Sequence, residues 1–152
     1  MLRTSDAEII LRDQAPLHAR NMRLDDGWSF EDFVGALNAR VFFWPGTGVG
    51  PIDYGQRHYA RYASERPIVI RADVTDLLAS NPSNTPLFCK YNSGSPRWSA
   101  GAPWPRGAAT FLPCGQATFR AGAVVEVAFE GEVRLPATAE YGDGPTGPWK
   151  RL

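Results

Sequence analysis

Glycine and proline set the tightest bound on what this chain can fold into. Fifteen glycines and thirteen prolines are spread through 152 residues. In a helix interior they cost about 1 and 3 kcal/mol relative to alanine, respectively. A helix bundle is therefore disfavoured, and short elements joined by shaped loops are expected. The 43% hydrophobic content is ordinary, and the length suits one globular domain that buries about two-thirds of its unfolded surface. Sixteen basic residues against sixteen acidic ones give zero net charge. A strongly electrostatic nucleic-acid binder needs clustered positive charge, so that class is disfavoured, although local contacts to RNA or DNA stay open. No apolar run reaches the roughly 18–20 residues of a membrane span, and the first residues lack the apolar stretch of a signal peptide. The expectation is a cytoplasmic protein with no membrane partner. Two cysteines, Cys89 and Cys114, are too few for a disulfide framework or a four-ligand zinc site. They are expected to be idle thiols, with no metal bound.

Periodicity places the elements. Glu8 to Leu11 is short, apolar and β-branched, which predicts a strand. Ser29 stands three residues before Asp32, approximating a capping box that opens a helix. In that helix Phe30, Phe33, Val34 and Leu37 share one face at 100° per residue. Arg40 to Trp44 predicts a strand buried on both faces, closed by Pro45. Ile52, Gly55, Tyr59 and Tyr62 recur at helical spacing between Ile52 and Ala63. A strand at Ile68–Asp73 and a short helix at Val74–Ser80 follow. Leu87 to Tyr91 reads as an edge strand, while Asn92 to Gly107 has no usable periodicity, as in functional or mobile loops. Ala123 to Glu130 alternates strictly, with Val125, Val127 and Phe129 on one side and Val124, Glu126 and Ala128 on the other. One α+β domain over residues 1–141 is expected, with residues 142–152 as an extended Gly/Pro-rich tail.

Three sets of residues could carry chemistry. A strand, the loop Gly46-Thr47-Gly48-Val49-Gly50, a helix, a strand and Asp73 imitate a dinucleotide-binding unit. Pro51 stands where the third small residue belongs, and its ring removes an N–H that a phosphate would need. Glu126 lies in the middle of an apolar strand and points either to solvent or into a cleft, where its pKa would be shifted. Arg12, Asp13, Gln14, Asn38, Arg40, Asn92, Ser93, Arg97 and Arg106 offer guanidinium forks and amides suited to phosphate or ribose. Arg40 equally suits a structural ion pair. His18 and His58 lack metal-ligand spacing.

The segments RDQAPL (Arg12–Leu17), LNARVFFW (Leu37–Trp44), VIRADVTDLL (Val69–Leu78), YNSGS (Tyr91–Ser95) and PRGAATF (Pro105–Phe111) together resemble an uncharacterised bacterial family, domain of unknown function 7002. More distantly, RVFFW followed by PIVIRADVTDLL resembles ADP-ribosyltransferase-like proteins of the DarT and RNA 2′-phosphotransferase kinds. That likeness implies small mixed or antiparallel sheets with short helices in a split-sheet architecture, and NAD as substrate. It implies Glu126 as the catalytic carboxylate, with Arg12, Gln14, Asn38, Arg40, Asn92, Ser93 and Arg106 binding the nucleotide. The acceptor would be a nucleic acid or a protein. The family likeness also implies an upstream histidine-bearing strand, which this chain lacks before His18. Three explanations stay open: an N-terminally truncated fold, a start that lies further upstream, or a segment supplied by another chain; a missing first strand would leave a sheet edge open, which homodimerisation could cover. The alternatives are a non-catalytic interaction module on the same scaffold, and a Rossmann-like oxidoreductase.

Overall fold

The computed structural model describes residues 17–95 and 104–152, together with the backbone of four two-residue strands, β1 (Leu2–Arg3), β2 (Glu8–Ile9), β8 (Trp98–Ser99) and β9 (Ala102–Pro103). β1 pairs with β2 and β8 with β9, both antiparallel. Of the strand expected at Glu8–Leu11, Glu8 and Ile9 are placed and the remainder lies outside the described residues.

Helix α1 (Phe30–Asn38) begins as its sequence dictates. The Ser29 hydroxyl accepts the Asp32 N–H at 3.0 Å, and the Asp32 carboxylate accepts the Ser29 N–H at 2.9 Å, so two otherwise orphaned N–H groups are satisfied. Its buried residues are Phe33 and Leu37, one turn apart. They pack against Leu87, Cys89, Phe111 and Ala128 to form the main core, flanked by Leu17, Met22, Leu24, Trp28, Phe42 and Tyr91.

That core lies on one face of a four-stranded sheet in the order β10 (Leu112–Pro113), β7 (Leu87–Cys89), β11 (Glu126–Glu130), β3 (Arg40–Phe43). Every neighbouring pair is antiparallel. Two expectations change here. Leu87–Cys89 is an inner strand, because both of its edges find partners. Conversely, β3 is one of the two edge strands of this sheet, so it is only half-buried and Val41 is 37% exposed.

A second sheet of three strands runs β13 (Lys150–Arg151), β12 (Glu140–Gly142), β6 (Val69–Arg71), again antiparallel. The stretch from Gly142 therefore does not fray. It turns back so that β13 pairs with β12, and the Arg71 guanidinium sits 4.2 Å from the centre of the Trp149 ring.

This topology removes the dinucleotide-binding unit. That unit needs two parallel strands side by side, yet β3 and β6 belong to different sheets. The glycine loop between them closes instead as a small hairpin, β4 (Gly46–Thr47) against β5 (Gly50–Pro51). Helix α2 (Asp53–Tyr62) packs on it through Gly55, where a Cβ would fall 2.8 Å from the Pro51 side chain and 3.0 Å from Trp44. The glycines shape a tight turn and a close helix approach rather than a phosphate cradle. Helix α3 (Val74–Ser80) follows β6, with the Asp73 carboxylate accepting the Thr75 N–H at 2.8 Å as its cap. The fold is α+β, with three short α-helices and small antiparallel sheets among the described residues.

Candidate functional site

Strand β11 begins at Glu126; the residues before it, Ala121–Ala123, form a 3-10 turn rather than the start of a longer strand. The alternation along β11 holds. Glu126 registers against Cys89, and Ala128 against Leu87 and Phe42, so the carboxylate shares the face that carries the main core. It points neither to solvent nor into an open cleft, and only 4% of the residue is exposed.

A carboxylate in that position needs donors. The Ser93 N–H supplies one, at 3.0 Å from Glu126 Oε2. Ser93 is 1% exposed, Arg106 2%. The Arg106 guanidinium donates to three backbone carbonyls: Trp104 at 2.7 Å, Asn92 at 3.3 Å and Ser93 at 3.4 Å. It also lies over the Tyr91 ring, 4.0 Å from guanidinium carbon to ring centre. Glu126 and Arg106 are thus joined through Ser93, which gives its N–H to one and its carbonyl to the other.

Burial pushes the Glu126 carboxyl above its ordinary range, while the Ser93 hydroxyl, the Ser93 N–H and the Arg106 charge pull it back. An acid with a raised folded pKa binds its proton more tightly in the fold than in the unfolded chain. Stability is then fully present below the ordinary carboxylate pKa, and ionisation of Glu126 draws it down as pH rises.

The backbone around Arg106 is fixed as well. Its N–H donates to the Arg23 carbonyl and its carbonyl accepts the Asp25 N–H, both at 2.8 Å, as Leu24 and Arg106 form a parallel bridge. Gly107 must lack a side chain, since a Cβ there would collide with the Asp25 carboxylate. The Gly107 N–H then donates to the Thr110 hydroxyl at 2.9 Å. These bonds account physically for the motif PRGAATF, just as Tyr91, Asn92 and Ser93 account for YNSGS.

Four of the site residues expected from sequence therefore come together: Glu126 and Arg106 through side chains, Ser93 through its N–H and carbonyl, and Asn92 through its carbonyl. Arg40 and Asn38 do not join them. Arg40 registers against Glu130 at the far end of β11, four residues from Glu126 and so roughly 13 Å away along the strand. There it pairs with Glu130 at 2.5 Å, donates to the Ala36 carbonyl and lies 4.6 Å over the Phe111 ring. Asn38 is exposed at the end of α1, beside that same end of the sheet. Arg12 and Gln14 lie outside the described residues, as does Arg97. Tyr91 and Thr110, which complete the cluster with Trp104, carry no sequence signal beyond their place in the two motifs, and Trp104 stands one residue before the second of them.

Two hollows lie elsewhere. One of about 390 Å³ is lined by Pro45, Phe88, Cys114, Ala117, Phe119, Ala121, Val124 and Val127, and Val127 faces the opposite side of the sheet from Glu126. The other, about 480 Å³, lies between Ser80–Pro82 and Glu132–Arg134. Neither has a member of the Glu126 cluster in its wall. Cys89 and Cys114 are both free thiols; burial pushes the Cys89 thiol up to about 12, so it is inert at neutral pH. Among the described residues no group of three or more His, Cys, Asp or Glu side chains could hold a metal, and no helix is long and apolar enough to cross a membrane.

No curated protein and no solved structure matches the chain. The model of one family, described as a family of unknown function (DUF7002), matches residues 1–139. That span takes in all five segments that resembled it, from RDQAPL to PRGAATF, and the chain belongs to this family.

Proposed function

We propose that the protein is a non-catalytic interaction module, and that the Asn92–Ser93–Arg106–Glu126 cluster is the clamp that holds its loops to the sheet. One observation carries this reading: the carboxylate that a transferase would use is 4% exposed and already bonded to Ser93. A carboxylate that steadies an oxocarbenium-like ribose must reach the reacting carbon in a concave, ligand-sized hollow. Arg106, the matching phosphate anchor, has its guanidinium committed to three carbonyls.

A second reading keeps NAD as substrate, Glu126 as catalytic carboxylate and Arg106, Ser93 and Asn92 as nucleotide ligands. The convergence of these residues and the raised pKa of Glu126 favour it, since perturbed carboxyls gather at functional sites. It requires the loop through Asn92 and Ser93 to lift away from β11.

Incubation of the protein with NAD separates the two. The expected result is no nicotinamide release above the buffer control and no heat of binding on titration with NAD. Release that disappears in the Glu126→Gln variant, with the fold intact, would establish the NAD reading instead.

A further inference from the structure

We propose that the outer face of α2 binds single-stranded nucleic acid, with Arg57 and Arg61 holding phosphates and the flat groups beside them stacking bases. This names a partner for the interaction module without depending on that reading, because α2 contributes no residue to the Glu126 cluster.

The orientation of α2 is fixed by what it packs on. Gly55 is buried against Trp44 and Pro51, and the Tyr59 hydroxyl donates to the Asp143 carbonyl at 2.6 Å. Tyr54, Arg57, His58 and Arg61 are left outside, all four exposed. At i, i+3, i+4 and i+7 they form one stripe about 100° wide. Such a stripe is ordinarily apolar and buried, whereas this one presents two rings and two guanidiniums to solvent. The rings are held in place from below. Trp44, the residue after β3, stacks on Tyr54 with ring centres 6.3 Å apart and planes 15° from parallel, and its ring centre lies 5.9 Å from that of His58. Burial and the Arg61 charge push the His58 imidazole below its ordinary range, so at neutral pH it is an uncharged ring.

Arg57 differs from the other arginines that lie over rings. Its guanidinium carbon is 4.8 Å from the centre of the Tyr54 ring. Arg40, Arg71 and Arg106 lie over rings too, but each commits its N–H groups to a carboxylate or to carbonyls of the fold. Arg57 donates to no group among the described residues. Stacking thus sets the plane of its fork and leaves the edge open for the bidentate geometry that suits phosphate. Arg61 stands one turn further on, at a side-chain spacing of about 5–6 Å. Asp53, the one acid in α2, forms no ion pair with either arginine among the described residues. Like charges one turn apart repel, and a bound phosphate relieves that repulsion. An acidic peptide would meet the charge but leave the flat groups bare. A nucleic acid strand uses both, since bases stack on exposed rings and on guanidinium planes.

Fluorescence anisotropy of a fluorescein-labelled oligothymidylate tests the proposal. The wild-type protein is expected to bind it at low salt, with the logarithm of the affinity falling against that of the salt concentration at a slope of about −1.4 for two phosphate contacts. The Arg57→Gln/Arg61→Gln variant, changed only at exposed positions, is expected to keep its far-UV circular dichroism, to bind about tenfold more weakly or worse, and to lose that slope. Inorganic polyphosphate, which carries the charge without bases, is expected to displace the oligonucleotide poorly. No binding by the wild-type protein at low salt, undiminished binding by the double variant, or displacement by polyphosphate as effective as by unlabelled oligothymidylate would each overturn the proposal.

Discussion

Replacing Arg106 with alanine is expected to destabilise the protein by about 3–5 kcal/mol, the range for removing one partner from a buried charged network. The Arg106 side chain is enclosed on every side. Its loss leaves the carbonyls of Asn92, Ser93 and Trp104 without their donor, and each unsatisfied buried acceptor costs about 1–3 kcal/mol. It also removes the positive charge that helps to hold down the Glu126 pKa. For a domain of this size the melting temperature should fall by roughly 10 °C or more, readable by thermal circular dichroism. Arg106→Lys should recover only part of the loss, because a compact ammonium cannot serve three carbonyls in the plane of a guanidinium fork. Full recovery with lysine, or a shift of a degree or two with alanine, would mean that the cluster contributes little to the fold.

Phe33→Ala should be comparably severe, about 3–5 kcal/mol, through the cavity it opens. Phe33 is completely buried and forms part of the main core between α1 and the sheet. The segment that packs against Arg106, Leu17 to Trp28, touches this same core. Loosening α1 is therefore expected to loosen the loop clamp as well, and urea unfolding of Phe33→Ala should show a lower midpoint with one cooperative transition.

Local chemistry was legible in the sequence; neighbours were not. The capping box at Ser29 and Asp32, the apolar face of α1 and the bounds of α3 depend on residues within one or two turns of each other, and all three are found as read. The place of β7 could not be read, because a three-residue apolar strand has the same pattern at an edge or in the middle of a sheet. Arg40 and Arg106 looked equivalent as anion ligands. What separates them is register: Arg40 falls opposite Glu130, while Arg106 falls under Tyr91 beside Ser93. The pairing of β13 with β12 was hidden for a similar reason, since a two-residue strand carries no periodicity at all. Glu126 was found as an unusual residue in an apolar strand, but its partner Ser93 lies 33 residues away, and no spacing rule connects them.

Hydrogen exchange at the Ser93 amide tests most directly whether the cluster is a closed clamp. Its N–H is bonded to Glu126 in a buried setting, so it should exchange only when the whole domain unfolds, with the same free energy as the amides of β11 and the same steep dependence on denaturant. Exchange through a low-energy opening that ignores denaturant would contradict this. The loop would then part from Glu126 in the native state, and the carboxylate would be within reach of a ligand.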